Sequence, residues 1–207
     1  MTDVIETESQ PLSACLLVCT LKKSPTPSSS ELLATQLLDR LGAHGVDGSV
    51  VRVADFVVAP GVQTDMGEGD QWPEIRQKVL DAHILGIVTP TWMGHASSIA
   101  QRVLERLDAE LSETDDNGRP LVEGKVGIIG VVGNEDGAHK IIADVGQALN
   151  DVGFSLPSQG STYWNGEAMG SVDYKDLPST PQKTQQTTST AAANAAHLAR
   201  LLERVPY

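Results

Sequence analysis

The sequence predicts an α/β fold in which one parallel sheet of five strands lies between two layers of helices, a three-layer sandwich. Short continuous apolar runs recur along the chain, as in strands that are covered on both faces. Segments with apolar residues at helical spacing alternate with these runs, which is typical of a doubly wound sheet. The length of 207 residues and the 40% hydrophobic content fit one domain with a full core.

The strands and helices follow one another regularly. Apolar runs predict strands at residues 14–20, 49–53, 84–89 and 126–132, and a weaker last strand at 154–156. Apolar residues three and four positions apart predict helices over residues 33–41, 75–82, 99–111, 141–152 and 192–202. Gly42 and Gly153 come directly after two of these helices, where glycine commonly ends a helix. Five strands alternating with helices fit the flavodoxin-like strand order 2-1-3-4-5.

The domain organisation is simple. Residues 1–11 are polar and carry acids without periodicity, so we expect a flexible N-terminal arm. Residues 12–207 form the single predicted domain. Within it, residues 175–190 are dense in Thr, Gln, Ser and Pro and are predicted to be a polar connector to the last helix.

The charge balance excludes several partners. Fifteen Lys and Arg against 27 Asp and Glu give a net charge of −12, which disfavours nucleic acid and anionic membrane surfaces. No apolar run is long enough to span a membrane, and the start lacks the basic residues of a secretory signal, so we expect a cytoplasmic protein. Cys15 and Cys19 would lie roughly 13 Å apart on one strand face, so we interpret them as core residues and not as a disulfide.

In an open parallel sheet, ligands bind beyond the carboxyl ends of the strands, near the point where the strand order reverses. This rule selects the loops after the first, third and fourth strands, which we call the first, second and third loops. The first loop supplies hydroxyl groups before a helix, at Ser24, Thr26, Ser28, Ser29 and Ser30. It contains no glycine, so it matches neither a dinucleotide-binding turn nor a P-loop. A phosphate monoester fits it better, although the residues could serve only as a loop and a helix cap.

The second loop contains Pro90, Thr91, Trp92, Met93 and Gly94. Trp92 and Met93 offer apolar, polarizable surface against which a flat ring can rest. The alternative is that the tryptophan simply packs on the edge of the sheet.

The third loop contains Gly133, Asn134, Glu135, Asp136 and Gly137. Its two glycines allow a tight turn whose amides can contact a heterocycle. The alternative is an ordinary turn that caps the next helix.

These three loops resemble those of the flavodoxin-like NAD(P)H-dependent FMN reductases, a family that includes quinone and azo-compound reductases. The resemblance rests on the serine-rich first loop, on residues 89–94 with Ser97 and Ser98, and on residues 133–138, and it covers about residues 12–170. The chain departs from the family at residues 161–166, which have no counterpart in the smallest flavodoxins, and in its first loop, where many relatives carry a basic residue and Asn.

The resemblance implies roles for the loops and a set of partners. The first-loop hydroxyls would hold the FMN phosphate, the second loop would contact the ribityl chain and the ring, and the third would border the ring's other edge. NADPH or NADH would be the electron donor and a small molecule such as a flavin or quinone the acceptor. A homodimer or higher homo-oligomer is implied. FMN itself exchanges the electrons, so no catalytic side chain is predicted.

Other functions are excluded or left open by inspection. No metal site is predicted, because the histidines lie far apart and no H-x-x-x-H or C-x-x-C motif occurs. The acids of a phosphotransfer receiver and the Cys-x5-Arg of a tyrosine phosphatase are missing. A non-enzymatic flavodoxin-type electron carrier or flavin-binding module stays the alternative, since an acidic carrier can dock to basic partners. Arg52, Arg76 and Arg102 cannot be placed from sequence, which leaves the choice between NADPH and NADH open.

Overall fold

The computed structural model describes residues 11–168, 170–205 and 207. The strands are β1 (Leu12–Val18), β2 (Val46–Arg52), β3 (Ile84–Trp92), β4 (His95–Ala96), β5 (Val126–Gly133) and β6 (Ser161–Asn165). The helices are α1 (Ser29–Gly42), α2 (Trp72–Leu80), α3 (Ser98–Leu107), α4 (Ala138–Val152) and α5 (Gln182–Arg204). The main sheet is parallel in the order β2-β1-β3-β5-β6, which confirms the predicted topology. The short β4 is an addition that pairs antiparallel with β3.

Helices cover both faces of the sheet, as the buried apolar runs require. Helices α2, α3 and α4 pack on one face around residues such as Leu17, Ile87 and Val131. Helices α1 and α5 pack on the other face around residues such as Leu16 and Val88. Neighbours along a strand therefore point into different cores, which explains why the strands are apolar at nearly every position.

Both cysteines are buried and free, in agreement with their predicted role as core residues. They belong to the core on the α2, α3 and α4 side of the sheet. Burial raises the pKa of the Cys15 thiol to about 12. A thiol in such surroundings stays protonated at neutral pH and is a poor nucleophile.

The last strand lies later in the chain than predicted. The structure has no strand at residues 154–156: Phe154 is buried in the core, and Ser155 makes only an isolated bridge to Val126. The fifth strand of the main order is β6, which pairs with Ile129–Gly133 of β5. Its sequence, Ser-Thr-Tyr-Trp-Asn, is rich in β-branched and aromatic residues but lacks the continuous apolar run that identified the other strands.

The polar connector is shorter than predicted. Helix α5 begins at Gln182, so residues 182–190 are helical and not part of a connector. The polar first half of this helix packs against β6 through two buried threonines, Thr184 and Thr188. The Thr188 hydroxyl donates to the Thr184 carbonyl at 2.7 Å and also contacts the Thr162 hydroxyl of β6 at 2.9 Å. Threonine hydroxyls that are hydrogen-bonded in this way can lie in a buried interface, although a hydrophobicity pattern assigns such residues to the solvent-exposed surface.

The predicted N-terminal arm falls almost entirely outside the described residues. Only Pro11 of the arm is described, and it is exposed. Among the described residues, no helix combines the length and apolarity needed to cross a bilayer.

A buried arginine fastens the long connection between β2 and α2. The Arg106 side chain is fully buried and donates to Asp70 Oδ2 at 2.8 Å. Its other N–H groups reach the carbonyls of Ala59 at 3.0 Å and Gln63 at 2.8 and 3.1 Å. The guanidinium also lies 5.5 Å from the centre of the Trp72 ring. One side chain of α3 therefore satisfies several polar groups of a segment that has little regular structure.

We expect Asp70→Asn to lower the free energy of unfolding by about 3–5 kcal/mol, because it leaves the Arg106 charge buried without its partner. Urea unfolding at neutral pH measures this change. Asp108→Asn, on the exposed surface at the end of α3, is the control and should change it by less than about 0.5 kcal/mol. Equal losses in both variants would contradict the role given to Asp70.

Asp70 should also make the stability of the protein depend on pH. Burial acts to raise the Asp70 pKa, but hydrogen bonds from the main-chain N–H groups of Met66, Ala59 and Trp72 and from Arg106 outweigh it and lower the pKa from 3.8 to about 2. The stabilisation is therefore complete above pH 3.8 and is lost as the pH falls through about 2. Unfolding measured from pH 5 down to pH 2 should show this loss in the wild-type protein and a smaller loss in Asp70→Asn.

Candidate functional site

A cavity of about 400 Å³ opens at the carboxyl ends of β1, β3 and β5, at the point where the strand order reverses. Its size falls in the range of small-molecule and cofactor sites. The lining residues are Thr20, Leu21, Lys22, Pro27, Ser28, Ser29, Ser30, Pro90, Thr91, Trp92, Val132, Gly133, Asn134, Glu135, Trp164, Asp173, Tyr174 and Lys175. Parts of all three predicted loops therefore meet around one space.

The structure divides the predicted site residues into two groups. Those that line the cavity are Ser28, Ser29, Ser30, Pro90, Thr91, Trp92, Gly133, Asn134 and Glu135. Those that lie outside its lining are Ser24, Thr26, Met93, Gly94, Asp136 and Gly137. The second group belongs to the same loops but not to the cavity wall.

The end of the first loop forms the N-terminus of α1. Ser28 is the N-cap, and its hydroxyl accepts a hydrogen bond from the Glu31 N–H at 3.4 Å. The N–H groups of Ser29 and Ser30 have no acceptor within the helix at these first two positions. Because they lie at the cavity wall and at the positive end of the helix dipole, they suit an anionic group.

The outer part of the first loop is fastened to the end of β2. Asp55 accepts hydrogen bonds from the N–H and the hydroxyl of Ser24, both at 2.7 Å. These bonds lower the Asp55 pKa. Arg52 donates to the Thr26 carbonyl at 2.8 Å. Ser24 and Thr26 thus hold the loop in place and lie outside the cavity wall.

The second loop is the tip of a tight hairpin between β3 and β4. Thr91 pairs with Ala96 and Trp92 with His95. Met93 at the tip has a φ of 52°, a left-handed conformation that is uncommon for a non-glycine residue. The Glu135 carboxylate accepts the Met93 N–H at 2.8 Å and so holds this tip against the third loop.

Thr91 carries the most informative polar atom of the site. Its side chain is buried, and its hydroxyl has no hydrogen-bond partner among the described residues. The residue lines the cavity next to Gly133, where a Cβ atom would lie only 2.8 Å from the Thr91 Cβ. Buried hydroxyls are nearly always paired, so an unpaired one in the wall of the cavity suits a site where a ligand or an ordered water completes the hydrogen bonding.

The second and third loops touch through their backbones. Gly137 has a φ of 135°, and a Cβ atom at this position would lie 2.7 Å from the Gly94 Cα. Only glycine permits both the conformation and this approach. The contact fixes the two loops against each other at the rim of the cavity.

Residues 170–176, which we call the strap, form a wall that the sequence analysis missed. The Asn134 side chain donates to Asp173 Oδ1 at 3.1 Å and to the Gly170 carbonyl at 3.3 Å. The Tyr174 hydroxyl donates to the Gln36 side chain at 2.6 Å, and its ring packs 5.4 Å from that of Trp164. The strap has no periodicity, and the only signal that pointed to this side of the cavity was the aromatic pair at residues 163–164.

The structure also places the three arginines that were left open. Arg52 pairs with Glu31, Arg76 pairs with Glu110 and Glu113, and Arg102 donates to the Val58 carbonyl. None of them lines the cavity, whose cationic residues are Lys22 and Lys175. Within the described residues, no cluster of three or more His, Cys, Asp or Glu side chains is arranged to hold a metal ion.

The family of NADPH-dependent FMN reductases matches residues 16–168. The chain belongs to this family. The membership confirms the resemblance seen in the loops.

Two curated relatives are longer than the matched region. The chain is 36% identical over 169 residues to the divalent metal cation transporter MntH of Mycobacterium bovis, a match that covers 80% of this chain and 25% of that protein. It is 30% identical over 166 residues to the 8-demethyl-8-aminoriboflavin-5'-phosphate synthase of Streptomyces davaonensis, covering 76% of this chain and 65% of that enzyme. The chain therefore spans a quarter of the first relative and just under two thirds of the second.

Solved structures agree with this placement. RosB with bound 8-demethyl-8-formylriboflavin-5'-phosphate superposes with a TM-score of 0.85 at 30% identity, covering 95% of this chain and 82% of that chain. A flavone reductase superposes with a TM-score of 0.69 at 13% identity, covering 95% and 66% respectively. The second likeness shows the shared fold alone.

We expect Gly137→Ala to lower the free energy of unfolding by about 2 kcal/mol more than Gly118→Ala, because only at Gly137 would the added Cβ overlap the backbone of Gly94. Both glycines have positive φ, 135° and 79°, but a Cβ atom at Gly118 meets nothing within 4 Å. Denaturant unfolding of the two variants measures the difference. Equal losses would show that the contact between the second and third loops does not constrain the fold.

Proposed function

We propose that this FMN reductase family member holds FMN in the cavity and passes electrons from NADPH or NADH to a small planar acceptor such as a flavin or a quinone. The observation that supports this best is a cavity that all three predicted loops surround, with Thr91 in its wall, whose buried hydroxyl has no partner among the described residues. A ligand with hydrogen-bond acceptors beside an apolar ring satisfies both the hydroxyl and the apolar lining around it.

The phosphate group of FMN is assigned to the N-terminus of α1. The N–H groups of Ser29 and Ser30 lie there, and the Ser29 hydroxyl, which accepts from the Lys175 N–H at 3.3 Å, can still donate. Lys22 brings positive charge to the same cavity, whereas the Lys175 ammonium is paired with Asp173 and Asp176. The positive charge of Lys22 and the helix N-terminus matter in a protein with a net charge of −12, because the overall field disfavours an anion. A phosphate monoester gains both amide hydrogen bonds and the field of the helix.

The ring of the cofactor is assigned to the part of the cavity lined by Pro90, Trp92, Val132, Trp164 and Tyr174. When bound, FMN supplies the capacity to accept a hydride and to release electrons. The protein orients the ring, keeps water from one side of it, and offers the Thr91 hydroxyl as a donor. No side chain has to act as a nucleophile or as a general base.

The mouth of the cavity supports a small organic acceptor. Two lining residues are half exposed, Trp92 at 53% and Leu21 at 51%, and Met93, next to Trp92 in the chain, is 87% exposed. Large apolar side chains around the entrance favour a flat, apolar second ligand over a highly charged one. An electron carrier of flavodoxin type has no need for such an entrance, so we rank it second to the enzyme.

A related possibility is that the flavin is itself the substrate. The observation that favours it is the similarity to the 8-demethyl-8-aminoriboflavin-5'-phosphate synthase, together with the TM-score of 0.85 to RosB. In that case the same cavity would bind riboflavin 5'-phosphate and the reaction would alter its ring. The mass of the flavin after turnover distinguishes the two functions.

We also propose an assembly and a cellular location for the protein. A homodimer or a higher homo-oligomer and a place in the cytoplasm are what the family resemblance and the sequence favour. Sedimentation of the flavin-loaded protein measures the first, and fractionation of cells measures the second.

We expect the FMN-loaded protein to lose its visible absorbance when NADPH or NADH alone is added without oxygen, because a reductase accepts the hydride directly. Adding a quinone should then restore the absorbance. The flavin recovered afterwards should have the mass of unaltered FMN. A protein that stays yellow with both nucleotides would be an electron carrier, and a changed flavin mass would establish the flavin-modifying function.

We expect Thr91→Val to weaken FMN binding roughly tenfold through the lost hydrogen bond, while the flavin-free protein becomes as stable or about 1 kcal/mol more stable. The gain arises because an unpaired buried hydroxyl is removed. Calorimetric titration with FMN and urea unfolding measure the two effects.

Thr89→Val is the matched control for this prediction. The Thr89 hydroxyl is already paired, since it accepts from the Ser97 N–H at 3.1 Å and donates to the Pro90 carbonyl at 3.0 Å. This variant should therefore lose stability. A loss of stability of the same size in Thr91→Val would mean that its hydroxyl has a partner within the protein.

A further inference from the structure

Arg52, the last residue of β2, lies beneath the first loop and is buried, with only 5% of its surface exposed. Its guanidinium forms a two-pronged ion pair with Glu31, through Nε to Oε1 at 3.2 Å and through Nη2 to Oε2. Nη1 donates to the Thr26 carbonyl at 2.8 Å and approaches the Lys22 carbonyl at 3.5 Å. One side chain thus joins the start and the middle of the first loop to the first turn of α1.

The ion pair has an electrostatic consequence for the cavity. Glu31 lies in the first turn of α1, directly after the three serines that line the cavity. A carboxylate at this position repels an anion bound at the same helix end, even though it favours the helix itself. Arg52 pairs with that carboxylate and so leaves the helix N-terminus available for a second negative charge.

The two carbonyl contacts have a geometric consequence. Lys22 and Pro27 line the cavity, so the peptide groups at Lys22 and Thr26 belong to its wall or lie next to it. Their oxygen atoms are turned toward the guanidinium of Arg52. Carbonyl oxygens that face a phosphate repel it, whereas amides attract it, so this orientation favours an anion in the cavity.

We propose that Arg52 is a positioning residue that makes the cavity select a phosphorylated flavin over an unphosphorylated one, without touching the ligand. The inference rests on the proposed placement of the phosphate at the N-terminus of α1. Arg52 acts through Glu31 and through the shape of the first loop. The selectivity of the site thereby depends on a residue of the neighbouring strand, outside the loops that line the cavity.

A purely structural role for Arg52 makes a different prediction. If Arg52 only stabilises the fold, its loss weakens FMN and riboflavin equally, since the two ligands share the ring and the ribityl chain. If Arg52 prepares the phosphate site, its loss weakens FMN alone. The ratio of the two dissociation constants therefore separates the two roles, and it does not depend on enzyme activity.

The experiment measures FMN and riboflavin binding to the flavin-free full chain by quenching of flavin fluorescence. We expect Arg52→Met to weaken FMN about tenfold or more, the effect of losing a charge-assisted arrangement, and to change riboflavin by less than about twofold. Arg52→Lys keeps the charge but not the two-pronged geometry, so it should fall between wild type and Arg52→Met. The double variant Arg52→Met with Glu31→Gln removes both charges and should recover part of the FMN affinity.

Arg76→Met is the matched control. Arg76 forms an equivalent two-pronged pair with Glu110, at 2.6 and 3.0 Å, but it does not line or adjoin the first loop. Its loss should leave the ratio of FMN to riboflavin affinity unchanged. Thermal unfolding of all variants identifies any that do not fold, and Arg52→Lys with the double variant then carries the comparison.

An unchanged ratio in the folded Arg52 variants would overturn the inference while leaving FMN binding intact. A wild-type protein that binds riboflavin as tightly as FMN would overturn the inference as well. A wild-type protein that binds neither flavin would refute the proposed cofactor site itself, and this outcome is visible before any variant is made.

Discussion

The site depends on the parallel pairing of β3 with β1 on one side and with β5 on the other. Val18 pairs with Val88, and Pro90 with Val132, so the three strands end close together along the same edge of the sheet. The loops that follow are therefore delivered to one place by backbone hydrogen bonding alone. Everything in the cavity, from the helix N-terminus of α1 to the hairpin of β3 and β4, is positioned relative to that edge.

The strands deliver the loops, but side chains from outside the cavity determine their shape. Asp55 and Arg52 hold the first loop, Glu135 holds the tip of the second, and Asn134 joins the third loop to the strap. Each of these contacts satisfies a polar group that irregular backbone would otherwise leave unpaired. Loops supported in this way can present amides and hydroxyls to a ligand in a fixed arrangement, which lowers the entropic cost of binding.

The fold and the location of the site were predictable because they follow from local patterns. The apolar runs at β1, β3 and β5 required burial on both faces, and the rule on strand ends then selected the loops. The strand β6 was missed because only Thr162 in Ser161-Thr162-Tyr163-Trp164-Asn165 is fully buried, and its hydroxyl pairs with Thr188 of α5, a contact that a hydrophobicity pattern does not register.

The strap and the supporting residues were beyond the reach of the sequence for a different reason. Asp173, Tyr174 and Lys175 reach the cavity through contacts with Asn134, Gln36 and Ser29, which are 39, 138 and 146 positions away in the chain. Arg52 could not be assigned for the same reason, since its partners belong to another loop and another helix. Long-range pairing of polar groups leaves no periodic signal in the chain.

Helix α5 approaches the sheet through a row of small residues: Ala191, Ala192, Ala195, Ala196 and Ala199 are all buried. Methyl side chains allow the helix axis to lie close to the strands, and α5 follows the strap in the chain with only a few residues between them. Bulkier residues in this row would push the helix outward and carry Tyr174 away from Trp164. The width of the ligand space is thus set in part by a helix whose own residues never reach it.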